Sequence, residues 1–532
     1  MNLRLGARPL VLASIGLVLV ACLLAVFAQQ QQRRRRVSMG GTAATRVVTN
    51  TTRAGITTVK AGGDFQRALN DARAGDTILL EAGAEFVGSF TLPYKTGDAY
   101  ITVRSSAVDE KLPPPNERIT PAYAASMPKI VSPGQGLSAL ATEKRAHHFR
   151  FIGIEFKPQN ADAMVYDLVR LGDGSSTQNS LDQVPHHLIL DRCYIHGIAG
   201  AYLKRGVALN SAETQIINSY ISDCKAKGQD AQAIMGWNGP GPFRIVNNYL
   251  EGSGENILFG GADATIPNLV PSDIEIRGNV LTKPLAWRGV WTVKNLFELK
   301  NARRVLVEGN LMEYAWRDGQ DGTAVLFTVR NQDGTAPWSV VEDVQFVNNL
   351  VRHAGAGINI LGRDNNHPSG QTRNITIKNN LFEDINGGAW SGSGNFLVIT
   401  EAAKISIEHN TILQTGNITA AYGQPTTAFV FRNNIVAHNA YGFHGDGRAP
   451  GADSLDNFFP GSIVINNAII GGDASQIKGR NMFPVSLKQL KFVDLEKRDY
   501  RLRPDSPAKK AASDGADIGA TPNARAAIDG IR

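Results

Sequence analysis

Apolar and polar positions alternate with a period of two in short bursts along this chain, and most bursts end in one phrase. Its clearest copy is Val344-Gln345-Phe346-Val347-Asn348-Asn349-Leu350-Val351. It returns as Phe243-Arg244-Ile245-Val246-Asn247-Asn248-Tyr249-Leu250, as Ile375-Thr376-Ile377-Lys378-Asn379-Asn380-Leu381-Phe382 and as Phe429-Val430-Phe431-Arg432-Asn433-Asn434-Ile435-Val436. Looser copies end at Asn279, Asn310, Asn410 and Asn467, and two earlier ones read Cys193-Tyr194-Ile195 and Ser219-Tyr220-Ile221. Steps between equivalent positions run from 24 to 39 residues. A period in that range signals stacked repeats. The alternation predicts a strand with one buried face, and the step is too short for a full strand-helix-strand unit. Each phrase therefore predicts one coil of a parallel β-solenoid. The second Asn of each pair is expected to take the sharp turn, because Asn tolerates left-handed backbone. Its amide is expected to hydrogen-bond from coil to coil as a ladder.

Past each Asn the pattern predicts a further short strand, at 206–210, 233–237, 256–259, 296–300, 325–330, 357–360 and 397–401. Its inward positions are apolar. Its outward ones are Asn210, Glu298, Lys300, Arg330, Asn359, Thr400 and Glu401, with Trp237 beside them. Asp230, Glu255, Lys294, Gln320 and Asp321 stand at the strand starts. Parallel strands lie about 4.8 Å apart, so side chains of three or four coils can meet over one ligand. Polar insertions at 172–185, 262–272, 282–294, 363–374 and 415–427 would wall a groove if they left one edge of the coil. A Pro-rich insertion at 105–128 interrupts the early coils.

The coils open on Gly63-Asp64-Phe65-Gln66-Arg67-Ala68-Leu69-Asn70-Asp71-Ala72. Asp64 is a natural helix N-cap, and Phe65, Ala68, Leu69 and Ala72 form one apolar face. A single amphipathic helix at that place covers the open end of a stack.

The run from Gly62 through Leu92, the recurring Asn-Asn-apolar coils and the ending Asp499-Tyr500-Arg501-Leu502-Arg503-Pro504-Asp505-Ser506-Pro507 resemble the pectate lyase-like right-handed parallel β-helix proteins. The resemblance covers about residues 57–520. It implies an all-β fold, a single-stranded right-handed parallel β-helix with an N-terminal capping helix. The expected division is a signal peptide or membrane anchor with a basic linker at 1–36, a linker at 37–56, the β-helix at 57–490, and a closing segment with tail at 491–532.

Charge changes little. The net +7 includes six arginines within residues 1–36, which hold no acid, leaving +1 for everything else. Bulk charge therefore gives no argument for nucleic acid. The apolar run at 10–28 after two arginines reads as an export signal or a membrane anchor. It predicts a secreted, periplasmic or membrane-anchored protein facing outside the cytoplasm, acting as a monomer on a polysaccharide. Cys22, Cys193 and Cys224 match no zinc spacing, and no disulfide is indicated. All six Trp fall between 237 and 390, where they either stack on sugar faces or plug loop bases.

What the resemblance implies about chemistry is a polysaccharide lyase. β-Elimination on a uronate needs a cation to neutralise the carboxylate and a base for the C5 proton. Lys300 and Arg330 are the candidates, with Glu298 orienting the base or, with Asp230, holding Ca²⁺. Asn210, Trp237, Glu255, Lys294 and Asn359 are candidates for binding substrate. An inverting hydrolase needs two carboxyls about 6.5–9.5 Å apart, which Glu255, Glu298 and Asp321 can offer. A noncatalytic glycan-binding or surface protein fits the same strands, as does a solvated face with weak ion pairs. The pairs His147-His148 and His186-His187 open strands at matching positions; neighbours on a strand point to opposite faces, so they read as strand edges. His444 is a lone polar candidate base.

Overall fold

The computed structural model describes residues 51–53 and 55–521. The chain winds as a right-handed parallel β-helix whose three sheets hold 15, 13 and 12 strands. One coil runs through Val341–Val347 in the first sheet, Leu350–Ala354 in the second and Ala356–Leu361 in the third. It then returns to Arg373–Lys378, which lies on the first strand in register, Val344 beside Ile375 and Phe346 beside Ile377. A coil thus has three strands. The apolar pair after each Asn is the second-sheet strand, and the further strand read from the pattern is the third-sheet strand.

The core is a continuous column of apolar side chains between the sheets. Phe297, Phe327 and Phe346 in its middle have no exposed surface. The corner between the first and second sheets is set by the Asn phrase, with one correction. The left-handed residue is the first of each pair: Asn247, Asn348, Asn379, Asn433 and Asn466 have φ between 53° and 60°. Gly278 and Gly309 take that place in looser copies. The left-handed residue carries the chain round the corner, and the next one points inward. There Asn248, Asn279, Asn310, Asn349, Asn380, Asn410, Asn434 and Asn467 stack without exposed surface. From Asn279 onward each amide oxygen accepts from the preceding coil's Asn, as from Asn310 to Asn349 at 2.9 Å and from Asn349 to Asn380 at 2.8 Å. Ser219 and Cys193 extend the column through Ser219 N–H to Asn248 Oδ1 and Cys193 N–H to Ser219 Oγ.

The N-terminal end is closed by the helix Phe65–Asp71, which buries Phe65, Ala68 and Leu69 and is capped by Asp64 accepting from the Arg67 N–H at 2.8 Å. At the other end an antiparallel pair, Phe492–Asp494 with Asp499–Leu502, packs with Leu490 and Ile518 against Ile435 and Ala468. The apolar run at 10–28, Cys22 and the linker up to residue 50 lie outside the described residues. Among the described residues no helix is long and apolar enough to cross a membrane. Cys193 and Cys224 are both buried free thiols.

Candidate functional site on the third sheet

Loops leave both edges of the third sheet. The insertions 172–185, 262–272 and 363–374 join it to the first sheet, whereas 282–294 arrives from the second. The 415–427 stretch contains the third-sheet strand Thr419–Ala421 and so contributes to both edges. The Pro-rich insertion lies elsewhere, with Leu112, Ile119 and Met127 packed against Tyr194 and Tyr220 of the second sheet. Loops of one wall are tied together: Thr265 N–H donates to Asn238 Oδ1, and Asp263 Oδ2 accepts from Asp333 N–H, Thr335 N–H and Thr335 Oγ1. On the other wall the Arg317 N–H donates to the Trp390 carbonyl at 3.1 Å.

On the floor between these walls, the outward column in register is Met235, Leu258, Glu298, Leu326, Asn359 and Val398. Glu298 is therefore flanked by two leucines and is only 1% exposed. Both of its oxygens are engaged. Asn295 Nδ2 donates at 2.9 Å, Thr328 Oγ1 donates at 3.0 Å, and Lys300 Nζ stands 3.5 Å away. Glu298, Lys300, Gln320, Asp321, Thr328, Arg330 and Asn359 line one cavity of about 380 Å³. Three of these, Lys300, Arg330 and Glu298, are the residues to which the sequence assigned the chemistry. The Arg330 guanidinium is held by Asp364 Oδ1 at 2.6 Å and by Asn365 Oδ1.

Beside the cavity lies a second polar cluster. Gln232 and Glu255 are in register, and Gln232 Nε2 donates to Glu255 Oε2 at 2.8 Å. Lys294 Nζ bonds Asp230 Oδ1 at 2.6 Å and stands 3.9 Å from Glu255 Oε1. Burial, then the charges of Glu298 and Asp230, push the Glu255 carboxyl above its ordinary range. Burial works to lower the Lys294 pKa, but Glu255 and Asp230 outweigh it and raise it. Below them Lys283 is wholly buried, donating to the carbonyls of Ser253 and Gly254 and to Asn256 Oδ1. Burial lowers its pKa against the pull of Glu255. Asn295 ties the loop to both: its Nδ2 also reaches Gln320 Oε1 at 3.2 Å, and its N–H donates to the Gly254 carbonyl that Lys283 also bonds. Four buried acceptors here have no donor: Gln232 Oε1, Glu255 Oε1, Asn295 Oδ1 and Asn359 Oδ1.

Other candidates are held differently. Asn210 is buried, and its Oδ1 accepts the N–H groups of Trp237 and Asn238. The Trp237 indole donates to the Gly174 carbonyl at 3.1 Å, and the Arg205 guanidinium lies over its ring. Trp287 and Trp316 are buried in one loop cluster with Trp291 and Trp390 packed on it. Glu401 pairs with Arg363 at 3.3 Å, and Thr400 is buried. His444 is in register with Ala420 on the last coil of the sheet, outside the cavity. Gln232, Asn295, Thr328, Asp364 and Lys283 belong to the site and were not singled out from sequence. Only Gln232 carried a signal, since it opens its strand one coil before Glu255.

Ca²⁺ takes six to eight oxygen ligands with no competing cation among them. Here the Lys294 ammonium lies between Asp230 and Glu255 and supplies the positive charge itself. The residues around Asp230 therefore do not fit a Ca²⁺ ion.

No family model matches the sequence, and no curated protein matches it. Among solved structures the chain is similar to an alginate lyase from Paenibacillus sp. str. FPU-7, with 15% identity over 77% of this chain and 99% of that one and a TM-score of 0.34. It is similar to a mannuronic acid specific polysaccharide family 6 lyase from human gut microbiota, with 10% identity over 90% and 99% and a TM-score of 0.41. It is also similar to a surface adhesin of Streptococcus pneumoniae, with 10% identity over 78% and 84% and a TM-score of 0.35. These likenesses are of the β-helix fold, which polysaccharide lyases and an adhesin share, and the fold alone does not decide among activities.

Proposed function

We propose that this protein is a polysaccharide lyase that cleaves a uronate-containing chain by β-elimination on the third sheet. One observation carries the reading: Lys300, Arg330, Glu298 and Asn359, from three successive coils, line a single cavity with Gln320 and Asp321. The polar strip is long. From Arg205 through Gln232, Glu255, Glu298 and Thr328 to Asn359 it crosses five coil steps, about 24 Å at 4.8 Å each. That suits an extended polymer better than a small molecule.

In this reading the uronate carboxylate lies against the Arg330 guanidinium, whose charge makes the C5 proton more acidic. Lys300 is the base that takes that proton. The electron pair forms the C4–C5 double bond, the C4–O4 bond breaks, and the leaving oxygen is protonated from water or a cavity acid. Glu298 holds the Lys300 Nζ in place. No step passes through Ca²⁺. Gln320, Asp321 and Asn359, which line the cavity, offer partners for sugar hydroxyls, and Lys294 offers a second cation for a neighbouring uronate.

A second reading, an inverting hydrolase, is favoured by the raised pKa of Glu255 beside the Glu298 carboxylate, a pattern that separates an acid from a base. A third is noncatalytic glycan binding. One assay separates the three. The purified protein is incubated with alginate, pectate and glycosaminoglycans, and both ultraviolet absorbance and new reducing ends are followed. Absorbance with reducing ends is the expected result. Reducing ends without absorbance would move the reading to a hydrolase, and binding without either would make it a binding protein.

A further inference from the structure

The two histidine pairs do not behave as ordinary strand residues. His147 opens the first-sheet strand His147–Ile152, and His186 opens the next one, His186–Asp191, directly beside it in register. His148 and His187 have φ of 56° and 53°. That left-handed backbone undoes the alternation, so both rings of each pair turn to the same side. This corrects the strand-edge reading. His147 Nδ1 comes within 2.8 Å of His148 Nδ1, and His186 Nδ1 within 2.7 Å of His187 Nδ1. Across the coils the rings stack, His147 on His186 at 4.8 Å and His148 on His187 at 4.3 Å.

Neutral imidazole is the ligating form. A carboxylate fixes one tautomer: Glu213, also left-handed at φ 47° and one coil on, meets His187 Nε2 at 2.5 Å. A proton on Nε2 leaves the Nδ1 lone pair of His187 facing the cluster. Histidines that bind metals are held in this way, by a carboxylate on the far nitrogen. Nearby cations are occupied. Arg145 and Arg150 lie over the faces of Tyr94 and Tyr100, at 4.9 and 5.0 Å. Glu213 and Asp98 are the carboxylates whose charge reaches His148.

We propose that His148, His186 and His187 bind one divalent transition-metal ion of the zinc class, stapling two successive coils, with Glu213 as the positioning residue for His187. One ligand nitrogen from each of the three rings already lies within 4.8 Å of the other two. Zinc–nitrogen bonds of about 2.0–2.1 Å in tetrahedral geometry need those nitrogens about 3.4 Å apart, so ring rotations of about 1 Å complete the site. Three imidazole donors with no thiolate select zinc, copper or nickel over calcium or magnesium. The site stands on the first sheet and is independent of the polysaccharide reading.

The test uses the full chain, stripped with a chelator and titrated with Co²⁺ and then Zn²⁺. The expected result is one Co²⁺ per chain with visible ligand-field bands, displaced by Zn²⁺, and a melting temperature that rises with Zn²⁺. His186→Ala/His187→Ala should abolish the bands, while His444→Ala leaves them unchanged. Glu213→Gln keeps the ligands and should weaken binding by about tenfold to a hundredfold, which covers the case in which the double variant does not fold. Absence of the bands in the unmodified protein, or unchanged affinity in both the double variant and Glu213→Gln, would overturn the site.

Discussion

The amide oxygen of Asn349 accepts both the backbone N–H and a side-chain N–H of Asn310, each at 2.9 Å, one coil away and without contact with solvent. The Asn349 Nδ2 in turn donates to the Val307 carbonyl at 3.0 Å. Asn349→Ala leaves at least two buried groups unpaired, at about 1–3 kcal/mol each. The variant is expected to lose about 2–4 kcal/mol, read as a lower denaturant midpoint. Asn348→Gly, at the left-handed corner, is expected to cost well under about 1 kcal/mol, because Gly adopts that backbone freely. Equal losses in the two variants would contradict the division of labour within the pair.

Lys300→Ala and Arg330→Ala are each expected to lower lyase turnover by about 10²–10⁴-fold, the usual range for a positioned proton-transfer group. Circular dichroism should stay unchanged, since Lys300 and Arg330 are only partly buried at the cavity. Asn210→Ala behaves in the opposite way. It removes the acceptor of two N–H groups, so melting temperature falls while turnover per folded chain holds.

The Glu255 carboxyl is raised above its unfolded value by burial and by Glu298 and Asp230. A group raised on folding stabilises most below its unfolded pKa and loses that contribution as pH rises through its folded pKa. Lys283, lowered by burial, contributes above its unfolded pKa and loses its share as pH falls through its folded value. Stability is therefore expected to decline as pH climbs from the acid range through the raised Glu255 value. Glu255→Gln should flatten that decline in a pH series of melting temperatures. A variant with the unmodified protein's slope would show that Glu255 is not its source.

Asp384 holds one wall of the groove, accepting from the Trp390 indole at 2.9 Å and meeting His353 Nδ1 at 2.8 Å. Burial alone would raise its pKa, but the bonds from His353, Trp390 and Asn386 prevail and lower it. Its contribution is present above the unfolded carboxylate value and is lost as pH falls through the lower folded one. Acid is thus expected to loosen the loop that carries Trp390, visible as a change in tryptophan fluorescence. Asp384→Asn should shift or remove that transition.

The capping helix, the coil period, the Asn ladder and the strip of outward polar residues were legible in the chain, because each rests on local periodicity. Period-two alternation marks a buried face wherever it occurs, and a fixed step between copies means stacking. Asp64 and the face of Phe65, Ala68 and Leu69 announced the cap in the same way. The outward placement of Glu298, Lys300 and Arg330 followed from counting onward from Asn279 and Asn310.

Tertiary structure decided what local pattern cannot encode. Which Asn of a pair goes left-handed depends on the corner geometry and on the partner waiting one coil away. The His pairs share a side because His148 and His187 adopt a backbone that the alternation rule excludes. Gln320 and Asp321 join Lys300 because a loop folds back over a strand 20 residues earlier. The charges of Glu255 and Lys283 act on each other only once both are buried in the fold. Sequence by itself set the ruler of the coils. Distances across coils, burial and the loops above the third sheet determined which marks on that ruler form a site.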